Sequence, residues 1–159
     1  YNRYLIKVLE KETKRIEKEL IDIDPKYKNI FNSKNAGTNQ RVNIANYDSM
    51  DGHQFEYFCA DILKNNGFKD VEVTQGSGDH GIDILAEKEG ITYAIQCKCY
   101  SSNIGNAAVQ QAHTGKSIYH KDIAVVLTNR YFTAQAKEEA KILGVKLWDR
   151  DKLNEMIKK

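Results

Sequence analysis

The run Ile123-Ala124-Val125-Val126-Leu127 contains no polar residue and is bracketed by Asp122 and by Thr128-Asn129. It lacks the alternation of a strand with one wet face. A continuous apolar strand of this length is buried on both faces. Such a strand needs covering layers on both sides of its sheet, and the flanking sequence supplies them. A helix is predicted from about Asn106 to Tyr119. A second follows, capped by Thr133, running through Leu143 and ended by Gly144.

The same reading extends in both directions. Met50 to Asn66 is predicted helical, with Ser49 as cap, Gly67 at the end, and Phe55, Phe58, Cys59, Ile62 and Leu63 on one face. Phe68, Val71 and Val73 alternate in a strand. Ile82 to Tyr100 reads as two strands around a turn at Glu89-Gly90. "VKLW" from Val145 is a short strand, and Asp151 opens a last helix. The order α-β-β-β-α-β-α-β-α predicts an α/β class, with a central mixed β-sheet flanked by helices over residues 50–159.

Residues 1–49 differ. Tyr4 to Ile23 is dense in Lys, Glu, Leu and Ile, with Leu5, Leu9, Ile16 and Ile23 on a stripe that Glu12 and Glu19 interrupt. It reads as an N-terminal amphipathic helical arm over 1–25, for packing or oligomerisation. Pro25 stops it. Residues 26–49 read as a polar linker rich in Asn, Ser, Gly and Thr. The chain starts at Tyr1 rather than Met, so a preceding segment, including a membrane anchor, stays open. No apolar run of about 18 residues is present to cross a membrane, and no signal-peptide pattern is seen. A cytoplasmic location is expected.

The chain has 159 residues and a formal charge of +2. This total gives no bulk electrostatic reason for nucleic-acid binding. Split at residue 49, it becomes +3 (ten Lys/Arg, seven Asp/Glu) and −1 (fourteen and fifteen). Cys59, Cys97 and Cys99 are odd in number and lie in apolar runs. They read as reduced structural thiols rather than a disulfide framework. A zinc site needs four well-spaced ligands, which Cys97-x-Cys99 with His80, His113 and His120 does not supply.

The informative stretch is Gly76 to Tyr100. Gln96 and Lys98 are two apart on one strand and share a face, whereas Ile95, Cys97 and Cys99 point toward the core. Gln96 and Lys98 are therefore expected to face somewhere wet. With the turn at Glu89-Gly90, paired positions sum to 179, which sets Asp83 opposite Gln96. Paired residues have Cβ atoms about 5 Å apart, so Asp83, Gln96 and Lys98 should cluster. A carboxylate and an amide oxygen are hard ligands suited to Mg²⁺, and the Cys97 backbone carbonyl could join them. A lysine could orient a water or offset charge on a phosphate. The bland alternative is a surface Asp–Lys pair. Gly76, Gly78 and Gly81 lack a following Gly-Lys-Ser/Thr, so they are not a P-loop.

At these residues the chain resembles a known family. "GSGDHGIDIL" followed by "YAIQCKCY" resembles the catalytic core of Mrr-like restriction endonucleases, in the PD-(D/E)xK nuclease superfamily and its Asp…Gln-x-Lys variant. "DGHQFEYFCADILKNNGF", "NAAVQQAH", "AVVLTNRYFTAQAKEEAK" and "LWDRDKL" resemble its other elements in order, over roughly Met50 to Met156. The resemblance implies the restriction-endonuclease-like fold. It makes Asp83 the metal-binding acid, Gln96 the second metal ligand and Lys98 the catalytic lysine. Glu56 would be a helix carboxylate reaching the metal through water. Asp79 and Gln110 would be supporting residues. Cys99 departs from the basic residue expected there in many relatives.

The resemblance further implies a Mg²⁺-dependent DNA endonuclease, with Mn²⁺ as a substitute, acting in defence against foreign or modified DNA. The alternative is a non-catalytic DNA-binding or scaffold domain on the same fold. A homodimer or higher oligomer through the arm is a third expectation. Solution mass tests it: the full chain should be larger in subunit number than a chain starting near Tyr47, and equal stoichiometry would remove the arm from assembly.

Overall fold

The computed structural model describes residues 12, 14–16, 18, 44–74, 78 and 80–158. The chain divides into two units, Tyr1–Arg41 and Val42–Lys159. In the first, the described residues are helical, and Arg15 pairs with Glu12 at 3.1 Å. The rest of the expected arm, and the linker up to residue 43, lie outside the described residues.

The second unit begins with a 3-10 helix, Ile44–Ser49, followed by α1 (Gly52–Asn65), β1 (Lys69–Val73), β2 (Ile84–Lys88) and β3 (Ile91–Lys98). Then come α2 (Asn106–Ile118), β4 (Ile123–Thr128), α3 (Ala134–Leu143), β5 (Val145–Trp148) and α4 (Arg150–Ile157). The five strands form one sheet in the order β1-β2-β3-β4-β5. β1–β2 and β2–β3 are antiparallel, and β3–β4 and β4–β5 are parallel. The parallel pairs are joined through α2 and α3. Right-handed crossovers moving one way along a sheet put both helices on one face. Accordingly, Ala108, Val109, Ala112, Ala136 and Ala140 from α2 and α3 pack with Ala124 and Val126. Phe55, Cys59 and Leu63 of α1 and Leu153 and Met156 of α4 pack with Val125 and Leu127 on the other face. β4 is thus sandwiched, as its uninterrupted apolar run requires.

Helix starts differ from the sequence reading in two places. Ser49 does not cap α1: Asp51 does, accepting from the Gln54 N–H at 2.8 Å while the Gln54 side chain accepts from the Asp51 N–H at 3.1 Å. This reciprocal box satisfies two otherwise orphaned donors. α4 opens at Arg150, one residue before the expected Asp151, and Asp149 caps it, accepting from the Asp151 and Lys152 N–H groups. Thr133 and Gly144 bound α3 as expected, with Gly144 at φ +66°.

The composition of the segment before Met50 predicts a linker through residue 49, but Tyr47 and Asp48 belong to the folded unit. Tyr47 is 1% exposed. Its ring stacks on Phe58 at 5.9 Å, and its hydroxyl donates to Asn154 Oδ1 at 2.9 Å. Asp48 accepts two hydrogen bonds from Arg150, each 2.9 Å, and one from Asn129 Nδ2. Two side chains with specific partners outweigh a polar neighbourhood. The bond from Arg150 is the main reason the Asp48 carboxyl sits below the ordinary aspartate range.

Two outcomes follow for stability. Leu127→Ala should cost about 2–5 kcal/mol, because the cavity would open in a strand covered on both sides; chemical denaturation measures it. A carboxyl with a lowered folded-state pKa stabilises fully above the ordinary aspartate range and loses that contribution as pH falls through its folded value. Asp48→Asn should therefore lower the melting temperature at neutral pH and narrow its difference from wild type in acid.

Candidate active site

β2 and β3 pair in the register Ile84↔Ile95, Ala86↔Tyr93, Lys88↔Ile91, each summing to 179. The turn falls at Glu89-Gly90, where both residues have positive φ (+54° and +79°). Asp83 is the residue just before this ladder. Its N–H donates to the Ile95 carbonyl at 2.9 Å, and its carbonyl accepts from the Thr74 N–H at 2.9 Å. Its carboxylate Oδ2 accepts from the Cys97 N–H at 2.6 Å. The acid is thereby held against the middle of the Gln96-Cys97-Lys98 segment.

Gln96 departs from expectation. The face it shares with Lys98 is not wet at this position, because α2 covers it, and Gln96 is 1% exposed. Its Nε2 donates to Gln111 Oε1 of α2 at 2.8 Å. Its Oε1 is buried with no hydrogen-bond partner among the described residues. Such an acceptor costs about 1–3 kcal/mol when left unmade, and a buried orphan in a native site calls for an explanation such as an ion. Lys98, at the end of β3, is half-buried, with Nζ 5.8 Å from the centroid of the exposed Tyr100 ring. Its carbonyl accepts from Thr128 Oγ1 at 2.7 Å, fixing the strand end.

Glu56 on α1 is not a solvated surface group. Its side chain is 16% exposed and lies 3.1 Å from His53 Nδ1. Its charge and that of Asp83 both act on the buried Cys97 thiol. That thiol is pushed well above its usual range, first by a hydrogen bond with Cys59, then by burial, then by the charge of Cys59, and only after these by Asp83 and Glu56. Asp83 reaches the Cys97 N–H from the head of β2, and Glu56 lies on α1 three residues before Cys59, which shares a core cluster with Cys97.

The structure does not bring Gln110 to Gln96. Gln110 is exposed and donates to Glu139 of α3 at 2.6 Å. The helix glutamine that reaches the strand is its neighbour, Gln111. Helical periodicity could have found this: Gln111 follows Ala108 by three and precedes Gly115 by four, and both are buried on the sheet-facing side. Asp79 lies outside the described residues. A cavity of about 320 Å³ beside Gln111 is lined by His80, Ala107, Gln110, Gln111 and Thr114.

Two glycines make the approach feasible. A Cβ at Gly115 would overlap Ile82 Cγ1, so only glycine lets the segment leading into Asp83 press on α2. Gly81 has φ +76°, and a Cβ there would sit 3.1 Å from Gln96 Nε2.

Among the described residues no group of three His, Cys, Asp or Glu side chains could hold a metal. The donors present are a carboxylate, an orphaned buried amide oxygen, a backbone carbonyl and a nearby second carboxylate. That is an oxygen set of the hard type that suits Mg²⁺, and the orphaned Oε1 fits a cation better than it fits a closed core.

The sheet order and the helices on its two faces define a restriction-endonuclease-like fold, with the polar cluster at the end of β3. The chain belongs to the restriction endonuclease family of the Mrr catalytic domain, whose model matches residues 47–157. Among solved structures it is similar to the MspJI restriction endonuclease in complex with a 27-mer oligonucleotide. That match has 21% identity and a TM-score of 0.55, covering 69% of this chain and 29% of that one. It is also similar to the DNA modification-dependent restriction endonuclease AspBHI, at 18% identity and a TM-score of 0.52, covering 65% and 30%. The protein of unknown function AF1548 matches at 23% and 0.48, covering 65% and 57%. The chain thus spans less than two thirds of each of these. No curated protein matches it.

One outcome separates a site from a core. Gln96→Leu removes the orphaned acceptor while keeping most of the volume. In EDTA its melting temperature should be equal to or above that of wild type, with divalent-cation binding by calorimetry lost. A loss of stability would show that Gln96 is simply a packing residue.

Proposed function

We propose that this domain is a divalent-cation-dependent DNA endonuclease, with Mg²⁺ as cofactor and Mn²⁺ as a substitute, acting on foreign or modified DNA in the cytoplasm. The observation that carries the reading is the buried Gln96 Oε1, without a hydrogen-bond partner among the described residues, one residue along β3 from the Cys97 N–H that the Asp83 carboxylate accepts from. Membership of the restriction endonuclease family supports the reaction class. The MspJI relative is described with an oligonucleotide, which supports DNA as partner.

In this reading Asp83, Gln96 Oε1 and the Cys97 carbonyl hold the cation, with Glu56 reaching it through water. When bound, it supplies Lewis-acid polarisation of the phosphoryl group and of the attacking water. The chain's own residues do the rest. Lys98 Nζ donates to the attacking water, orienting it toward phosphorus, and its charge offsets the negative charge that builds on the phosphoryl oxygens. One P–O bond forms to water, which gives up a proton to solvent, the opposite P–O bond breaks, and the leaving oxygen takes a proton from solvent. Gln96 carries no charge, so the cation site has one carboxylate fewer than an acidic pair would give.

The domain's charge, −2 over residues 47–159 once Asp48 is counted with it, fits this scheme. Its carboxylates repel phosphate until a cation binds, so DNA affinity should be modest, metal-assisted and salt-sensitive. No helix among the described residues is long and apolar enough to cross a membrane.

Plasmid cleavage tests the proposal. With Mg²⁺ the wild type should cleave methylated or unmethylated DNA, and EDTA should stop it. Asp83→Ala and Lys98→Ala should each lower the rate by at least about 10²–10³-fold. DNA binding without cleavage under every condition would favour a scaffold instead.

A further inference from the structure

Gln111 was not singled out by its sequence context, yet it is the hydrogen-bond partner of the Gln96 side chain among the described residues. A side-chain amide has a donor end and an acceptor end of nearly the same shape, and rotation about its last bond exchanges them. For a buried amide, only its hydrogen bonds decide which end faces which way. Here Nε2 is spent on Gln111 Oε1 at 2.8 Å, which leaves Oε1 turned the other way, unpartnered. The opposite arrangement would aim two N–H donors at the place where the cation is expected.

The surroundings restrict the amide further. The absence of a Cβ at Gly81 leaves just enough room for Nε2, which a methyl would approach to 3.1 Å. The same Cβ would lie 3.4 Å from Gln111 Cβ, so Gly81, Gln96 and Gln111 form one small contact set. Gln111 itself is exposed and lines the cavity with His80, Gln110 and Thr114. It contributes little to the core, so its hydrogen bond to Gln96 is what it adds to the site.

We propose that Gln111 is a positioning residue: its Oε1 accepts from Gln96 Nε2 and so keeps Gln96 Oε1 facing the cation site. This rests on the metal reading above and goes beyond it by assigning the orientation of one ligand to a named acceptor on α2. The requirement is for an acceptor at position 111, not for an amide. A carboxylate there still accepts, and a hydrocarbon does not.

Two variants of the full chain and two readouts test it. Gln111→Leu should weaken Mn²⁺ binding, followed by electron paramagnetic resonance, about 10- to 100-fold, the range for partners that orient a metal ligand. Gln111→Glu should bind within a few-fold of wild type. In EDTA Gln111→Glu should keep the wild-type melting temperature, and Gln111→Leu should lower it, because it leaves the buried Gln96 Nε2 without its acceptor. Under cleavage conditions Gln111→Leu should lose kcat with little change in the KM for DNA. In the metal-free protein, the Gln96 side-chain NH₂ resonances should show slow hydrogen exchange in wild type and Gln111→Glu and faster exchange in Gln111→Leu. Equal Mn²⁺ affinity in Gln111→Leu and wild type would overturn the proposal, as would equal losses in both variants. Absence of Mn²⁺ binding by wild type would instead overturn the metal reading. The metal-free exchange pattern separates the two failures, since it reports the hydrogen bond alone.

Discussion

The register of β2 against β3 is the constraint on which the site depends. Side chains alternate along a strand, so a slip of one residue would turn every one of them to the other face. Gln96 would then face α1 and Cys97 would face α2. Two things hold the register. The Glu89-Gly90 turn adopts the positive φ values that a tight hairpin needs. The apolar residues Ile84, Ala86, Tyr93 and Ile95 all belong to the α1-side core, and any slip would expose them to a different layer. The Asp83 carboxylate adds a polar latch where the ladder ends, accepting from the Cys97 N–H. The same bond that closes the hairpin therefore places the acid beside the two potential ligands.

The parallel half of the sheet sets the other side of the site. β3 runs into β4 in the register Gln96↔Val126 and Lys98↔Thr128, so the polar residues sit where the strands end. Ligands in open α/β sheets gather at the carboxyl ends of strands for this reason. There a second polar network ties the chain together. Asn129 bonds to both the Tyr100 N–H and its carbonyl, Arg130 Nε donates to the same carbonyl, and Asp48 links Asn129 to Arg150. The strand that carries Lys98 is thus braced from the residues just after it. The segment entering the domain at Tyr47-Asp48 is part of that brace.

Much of this was legible in the sequence. The 123–127 run specified a doubly covered central strand, and the Glu89-Gly90 turn specified the pairing sum. Those two features fix the sheet near the site without homology. What the sequence did not disclose were properties set by a third element. Period-2 alternation placed Gln96 and Lys98 on one face, but it cannot say that α2 buries one and spares the other. The family resemblance named Gln110 as a supporting residue, whereas the helix glutamine that bonds to the strand is Gln111, next to the buried stripe Ala108, Ala112, Gly115. Tyr47 and Asp48 were hidden by a polar neighbourhood, because composition averages over a window and a single stacked ring with one bidentate ion pair does not change the average.

The unpartnered Gln96 oxygen links stability to function. A chain selected only to fold would gain by replacing that amide with a hydrocarbon of similar size, because an unmade buried acceptor disfavours the folded state. Retaining it makes sense where something absent from the protein alone completes the site, and native proteins tolerate such local losses at functional positions. The neutral amide also bears on the charge problem. With the Asp83 carboxylate already bonded to the Cys97 N–H, a further carboxylate at 96 would add like charge to a cation-free site and make burial at this depth costlier. An amide supplies the oxygen without the charge. It is also two-ended, so on the proposed reading the site needs a neighbour that holds the oxygen inward, and Gln111 on α2, which accepts from Gln96 Nε2, stands where such a neighbour must be.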